Sequence, residues 1–448
     1  MKRHLLLAAL VAALGACGGG GPVSGQAPPP AEPPAPPPEP PAQCSVQDQR
    51  NTLSAWMQDN YLWYEQLGKA DDQAADIDAY FRSLLAKPQD RYSYTESTAA
   101  FNDLFVEGRR TGYGYTLAWA DAAQTVLRVR NVEPLSPVAR AGLQRGHTIV
   151  AIDGYTPAQI AAGRPAPVSV PGVPRSFRIR DANGNERTIE AVSEDFALSP
   201  VGAPQTYMVA RSNGTNANVG YLAYNQFVGY SRTDLLGAMR TLRQSGIDEL
   251  VLDLRYNGGG SVNTSRDLAS FIGSTTTAGQ MFSYLRFNDK QVTQNLTYRF
   301  LDLQQIEPQV LPQLKRLIVL TSGGTASASE LLVNGLKPFM PVVLVGDTTY
   351  GKPFGFVPRD YCDVTFNAVN FRALNANGES NFEQGFTPDC AAADDLDHAL
   401  GDRNERKLAT ALNYIATGSC PAMPQARVLA PAAAKPLGET VEPGMFPD

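Results

Sequence analysis

The chain has 448 residues, 43% hydrophobic and 18% charged, with 38 basic and 44 acidic side chains and a formal net charge of −6. That length supports two or three domains with buried cores, and the acidic balance argues against a general nucleic-acid role, which leaves a basic footprint. Three histidines and five cysteines leave few positions for chemistry that depends on either residue.

The start of the chain reads as an address. Lys2 and Arg3 precede an apolar stretch, Leu5 to Leu14, of signal-peptide length and too short for the roughly 20 residues of a transmembrane helix. Leu14-Gly15-Ala16-Cys17 resembles the lipobox of bacterial lipoproteins, which makes residues 1–17 a signal and Cys17 the lipidated residue. Gly18 is not the acidic residue that holds such lipoproteins at the inner membrane. The expectation is therefore a lipid anchor in the outer membrane facing the periplasm, with no other membrane attachment. Loss of residues 1–16 removes Lys2 and Arg3 and leaves 36 − 44 = −8. Residues 18–44 are Gly- and Pro-rich, a composition that extends as a polyproline II tether rather than building a core.

Residues 45–105 are expected to form a small helical domain. Trp56, Tyr61, Leu62 and Trp63 fall in one amphipathic stretch, and Ile77, Tyr80, Phe81, Leu84 and Leu85 recur at three- and four-residue steps in another. Residues 106–195 are β-rich, with strand-like runs at 115–119, 126–132 and 148–152 and an Asp153-Gly154 turn. The phrase SPVARAGLQRGHTIVAIDG resembles a PDZ domain. That resemblance implies a groove where a peptide adds as a strand and a glycine loop, here Gly112, Tyr113, Gly114 and Tyr115, binds its terminal carboxylate through the main chain.

From 196 to 420 strands alternate with helices, at 219–227, 249–254, 316–321 and 342–346, with a helix over 328–337. This is an α/β core. A Pro-rich tail, 421–448, is expected to be loosely ordered. Beyond Cys17 there are four cysteines, Cys44, Cys362, Cys390 and Cys420. In an oxidising compartment an even count reads as two disulfides with three pairings open. Cys362–Cys390 with Cys44–Cys420 is preferred, the second tying the start of the fold to its end. The wide spacing, without CxxC or nearby histidines, speaks against zinc.

The histidine count narrows the chemistry. His4 leaves with the signal, and neither His147 nor His398 sits in a setting that suggests a Ser–His–Asp triad. No GxSxG or HExxH motif occurs. Lysine can serve as the base instead, provided burial disfavours its ammonium form. Thr325-Ala326-Ser327-Ala328-Ser329-Glu330 follows a strand through a Gly323-Gly324 turn and opens a helix, where free N–H groups favour a developing oxyanion. Helix capping alone would explain the same serines.

TASASE followed by GDTTYGK resembles the core of the C-terminal processing (tail-specific) serine peptidases, whose pattern is S-A-S-A-S-E and then Phe-Gly-Lys. The resemblance implies Ser327 as nucleophile and Lys352 as base, at the family separation of 352 − 327 = 25 residues. LDLRYNGGGS resembles the family's Asp-Leu-Arg-x-Asn-Pro-Gly-Gly, with Gly258 in place of proline. It implies an oxyanion hole from Gly259 or Gly260 with Ala328. Upstream YFRSLLAKPQDRYSYTES and downstream GFTPDC extend the likeness over about residues 50–400. The implied fold is multidomain α/β, with a helical N-terminal domain, a PDZ-like module and a crotonase/ClpP-like peptidase core.

One departure stands out. The family places glutamine four residues after the lysine, where this chain has Phe356. A ring cannot accept the lysine's hydrogen bond, although it can keep the lysine dry. Asp253 and Arg255 read as a structural pair. The resemblance implies endopeptidase cleavage, without metal or organic cofactor, of envelope proteins or peptides with free, apolar C-termini. Two other readings are set beside it: a PDZ-based envelope adaptor on an inactive core, and a crotonase-like enzyme acting on small thioesters.

Overall fold

Each of the first two helices starts where a polar side chain can accept a main-chain N–H. In the computed structural model, which describes residues 44–422 apart from 122, 308, 312 and 313, together with 437–438 and 444–447, Ser45 caps α1 (Val46–Asn60) and Asp76 caps α2 (Ile77–Leu84). The signal peptide, Cys17 and most of the linker lie outside the described residues. Leu53 and Met57 from α1 and Tyr80, Phe81 and Leu84 from α2 are buried together, and Trp56 and Trp63 pack against them. These helices do not close a core alone. Phe354, Phe366, Ala368 and Val369 belong to the same cluster, and strand β1 (Tyr94–Ser97) pairs antiparallel with 364–367.

The β-rich segment forms an antiparallel sheet of β2 (Tyr115–Trp119), β3 (Leu127–Val132), β4 (Thr148–Ile152), β5 (Pro174–Arg180) and β6 (Glu186–Val192), in that order. Alternation along β5 buries Phe177 and Ile179, against Leu117, Leu127, Val129 and Val138. Arg145 fastens this sheet to the following core, with Nη2 3.1 Å from Asp394 and Nη1 2.8 Å from the Tyr256 hydroxyl.

The core sheet contains β7 (Gln205–Ala210), β8 (Asn216–Ala223) and β9 (Glu249–Asp253), then β10 (Leu317–Thr321), β11 (Val342–Gly346) and β12 (Cys390–Ala391). Their spatial order is β12-β11-β10-β9-β8-β7, parallel except for the β7–β8 pair. All five residues of β9 and all five of β10 are buried, as expected for parallel strands covered on both faces. Helices α3 (Arg232–Gln244), α4 (Val262–Thr277) and α5 (Ala328–Leu336) share the main apolar cluster on one face. Helix α6 (Arg406–Thr417) packs Leu408, Ala411, Leu412 and Ile415 on the other. No helix among the described residues is long and apolar enough to cross a membrane.

Arg255 follows β9 and is 1% exposed. Its guanidinium makes two 2.8 Å bonds to Glu405, which caps α6, and bonds Asp253 at 2.9 Å. The Asp253–Arg255 pair is thus structural, fixing the carboxyl end of β9 to α6.

Two expectations are corrected. The disulfides are Cys44–Cys362 and Cys390–Cys420, not Cys362–Cys390 and Cys44–Cys420. Helix α1 shares its core with the 354–369 segment, which brings Cys44 to Cys362, and α6 returns along the sheet to leave Cys420 beside β12. Nor is the whole tail loose. Residues Leu437–Gly438 pair antiparallel with β2, and Gly444–Phe446 pair parallel with Gly259–Ser261. Proline content suggested a chain without partners, but exposed strand edges offer main-chain hydrogen bonds to any extended segment.

Candidate active site

The nucleophile candidate sits where the backbone is least relaxed. Ser327 stands at the N-terminus of α5 with φ 59° and ψ −114°, a conformation that costs a non-glycine residue on the order of 1–3 kcal/mol unless its surroundings impose it. The surroundings do so. Thr325 Oγ1 donates to Leu254 O at 2.8 Å, Ala326 N to Asn257 O at 3.1 Å, and Ser329 Oγ to the same carbonyl at 2.9 Å. Ser327 N donates to Glu330 Oε2 at 2.9 Å. The side chain is left free for other work: Ser327 Oγ is buried and makes no hydrogen bond among the described residues.

Glu330 joins this turn to the lysine loop. Its Oε2 also accepts from Lys352 N at 2.8 Å, and its Oε1 accepts from Gly351 N at 2.7 Å and from the Thr349 hydroxyl. One carboxylate oxygen therefore holds the main-chain nitrogens of Ser327 and Lys352 together. Burial pushes the Glu330 carboxyl above its ordinary range, against the hydrogen bonds that favour its charged form.

Lys352 is fully buried. Its Nζ donates to Tyr92 O at 3.4 Å and lies 4.8 Å from the Phe356 ring centroid and 5.9 Å from that of Tyr94. The ring of Phe356, itself fully buried, lies against the lysine, as expected from its place four residues on. Ser327 Oγ and Lys352 Nζ are not hydrogen-bonded to each other here.

Of the glycine candidates, Gly259 has its N–H committed within its own turn, and Gly260 presents its N–H at a strand edge. Gly259 N donates to Asn257 Oδ1 at 2.9 Å. Phe227 N donates to Gly259 O at 2.9 Å, and Ser261 N donates to Phe227 O at 2.8 Å. In an extended strand those two groups point to one edge, so the N–H and C=O of Gly260 point to the other. Gly260 has φ 127°, and a Cβ there would lie 2.0 Å from Phe227 O. Ala328, the first residue of α5, offers an N–H with no acceptor inside the helix.

Comparison with known proteins finds matches in two segments of the chain. The model of "Peptidase family S41" matches residues 218–392, and that of "Peptidase S41 N-terminal domain" matches residues 48–94. Over these two segments the chain matches peptidase family S41. It is 27% identical over 296 residues to a carboxyl-terminal-processing protease of Picosynechococcus sp., covering 63% of this chain and 64% of that protein. It is 24% identical over 279 residues to the carboxy-terminal processing protease CtpB of Bacillus subtilis, covering 60% and 52%. The chain thus spans less than two thirds of the length of these curated relatives. A crystal structure of a Bacteroides fragilis protein assigned to the S41 proteases superposes with a TM-score of 0.67 at 27% identity, covering 81% of this chain and 96% of that one.

The remaining candidates lie elsewhere. Gly112 ends a short strand and Tyr115 begins β2. Tyr113 and Tyr115 are buried in the β-module core, and Tyr113 donates to Val173 O at 3.0 Å, so any ligand at this loop meets main chain rather than phenol. His147 Nδ1 accepts from Gln144 N at 3.2 Å, and His398 Nδ1 is 2.9 Å from Asp395. Neither histidine is bonded to Ser327. Sequence reasoning missed Asn257, which stitches the glycine turn to the serine turn, and Tyr92 and Tyr94, which enclose Lys352. Residues 45–105 read as helical, and nothing in the Tyr92-Ser93-Tyr94 spacing said which residue the two tyrosines would cover.

Proposed function

We propose that this chain is a serine endopeptidase in which Ser327 is the nucleophile and Lys352 the general base. The observation that carries the reading is the shared Glu330 oxygen, which holds the Ser327 and Lys352 main chains together while the serine hydroxyl is left without an internal partner. Burial among rings removes the hydration that an ammonium needs, so Lys352 works as the neutral amine.

Lys352 Nζ takes the proton of Ser327 Oγ as the Oγ–C bond forms on the peptide carbonyl. The resulting oxyanion is held by the N–H groups of Gly260 and Ala328, each of which supports the transition state by ~2.7–4 kcal/mol if it behaves as oxyanion donors elsewhere do. The lysine ammonium then protonates the leaving amine as the C–N bond breaks. Water, deprotonated by the same amine, attacks the Ser327 ester and releases the carboxylate product. Every proton taken is returned, and Lys352 ends neutral.

Protein substrates with free, apolar C-termini suit the PDZ-like reading of the β module, whose edge strand β2 accepts an added strand. The lipobox-like residues 14–17 support an envelope location, with Cys17 as a lipid anchor to the outer membrane. The test uses residues 18–448 with unfolded reporters ending in apolar or charged residues, beside Ser327→Ala and Lys352→Ala. Cleavage abolished by both substitutions supports the dyad. The second reading, a PDZ-based adaptor on an inactive core, is favoured by Phe356 in the glutamine position. Binding of reporters without cleavage would select it.

A further inference from the structure

The two main-chain edges that a substrate peptide would use are both taken by one segment of the same chain. Strand β13 (Gly259–Ser261) and strand β14 (Phe354–Gly355), the latter two residues past Lys352, flank a slot. Gly444–Phe446 lies in it, paired parallel with β13 in the register Gly259 with Gly444, Gly260 with Met445 and Ser261 with Phe446. On the other side Phe356 N donates to Met445 O at 2.9 Å. The edge of Gly260 that carries its N–H, the proposed oxyanion donor, is thus the edge facing this segment.

The slot is shaped for an extended backbone with apolar side chains. A Cβ on Gly355 would lie 2.5 Å from Met445 O, so glycine there leaves room for the strand. Met445 is fully buried and belongs to the main core cluster. Phe446 is 8% exposed and enters a ring of aromatics, with centroids 4.9 Å from Phe105, 5.8 Å from Phe101 and 6.3 Å from Phe356. Upstream, Leu437–Gly438 adds antiparallel to Thr116–Leu117 on β2. Strand addition at the module edge and in the glycine slot is the mode expected of a captured peptide.

We propose that Gly444–Phe446 is a built-in competitor that occupies the peptide slot of this enzyme, and that the slot takes extended peptides carrying an aliphatic–aromatic pair like Met445-Phe446. The proposal rests on the peptidase reading for its consequence, inhibition, but not for its geometry. A segment on the same chain competes at an effective concentration on the order of millimolar, so added peptide meets a site that is open only part of the time. Phe356 then has a second role. The ring that stands where relatives carry glutamine also receives the aromatic side chain.

The test is run on the full chain in the Ser327→Ala background, so that binding is read without turnover. A fluorescein-labelled peptide, Val-Glu-Pro-Gly-Met-Phe-Pro, is titrated into Ser327→Ala and into Ser327→Ala with Phe446→Asp. A charge in the aromatic ring expels the segment, and the apparent Kd of the probe is expected to fall by at least about tenfold. The same peptide with Asp for Phe should bind neither protein. Equal affinity in the two proteins overturns the proposal. Should Phe446→Asp fail to fold, hydrogen exchange on the unsubstituted chain decides: a Phe446 amide that exchanges as fast as an open loop overturns it, and a protected Phe446 amide released by excess probe supports it. A Kd shift without Ser327-dependent cleavage sustains the slot and removes the peptidase reading alone.

Discussion

Replacing Glu330 tests whether one buried carboxylate assembles the site. It accepts four hydrogen bonds, two on each oxygen. In Glu330→Gln one oxygen becomes an amide NH2, which can face either pair of donors. Facing Gly351 and Thr349 is the cheaper choice, because the Thr349 hydroxyl can turn to accept, leaving one N–H orphaned. That loss is about 1.5–3 kcal/mol for a bond to a charged group, reduced because a neutral amide pays less for burial than a carboxylate. We expect Glu330→Gln to lose about 1–3 kcal/mol of stability while Ser327 N and Lys352 N keep their acceptor, so activity falls modestly. Glu330→Ala orphans three buried N–H groups and should lose about 3–5 kcal/mol and most of kcat. Urea denaturation and reporter cleavage at pH 7 read both. Because burial raises the Glu330 carboxyl above its ordinary 4.5, its proton contributes stability that is complete below that value and is lost as pH rises through the folded one. Glu330→Gln should lack that slope. An alanine variant with unchanged stability and kcat would refute the clamp.

Gly260→Ala places a Cβ 2.0 Å from Phe227 O and turns the oxyanion donor away; kcat should fall about 100–1,000-fold, checked against a melting curve showing that the fold persists. Arg255→Leu leaves Glu405 and Asp253 buried without their cation, at about 3–5 kcal/mol in denaturant titration, and should loosen α6. Asp394 is held well below the usual carboxylate range: burial raises it, but Lys407, Arg145 and Arg255 outweigh that. A depressed pKa stabilises above the unfolded value and is lost as pH falls through the folded one, so stability should drop below about pH 4. Asp394→Asn should flatten that acid limb in melting-temperature scans.

Local pattern settled much of this protein. The three- and four-residue steps over 77–85, the strand-like runs at 115–119 and 148–152 and the apolar run Leu250–Leu252 are short-range signals, because helix and strand periods act over a few residues. The motif around Ser327 and Lys352 was legible for a similar reason: a strand-to-helix turn and a lysine loop each carry fixed local chemistry. The Asp253–Arg255 pair was visible as a structural one, though its partner Glu405, 150 residues on, was not.

What the tertiary structure alone decided are pairings between distant segments. Composition and spacing left three disulfide pairings open, and only the packing of α1 on 354–369 and of α6 on the sheet selects Cys44–Cys362 and Cys390–Cys420. Glu330 caps the Ser327 turn, and its second role depends on where the Lys352 loop returns. The tail read as loose because proline-rich composition forbids a core of its own, yet two short stretches of it find main-chain edges elsewhere. Sequence fixes what each segment can do alone; which edge, ring or charge it meets is set by long-range packing, where loop-closure entropy and burial compete.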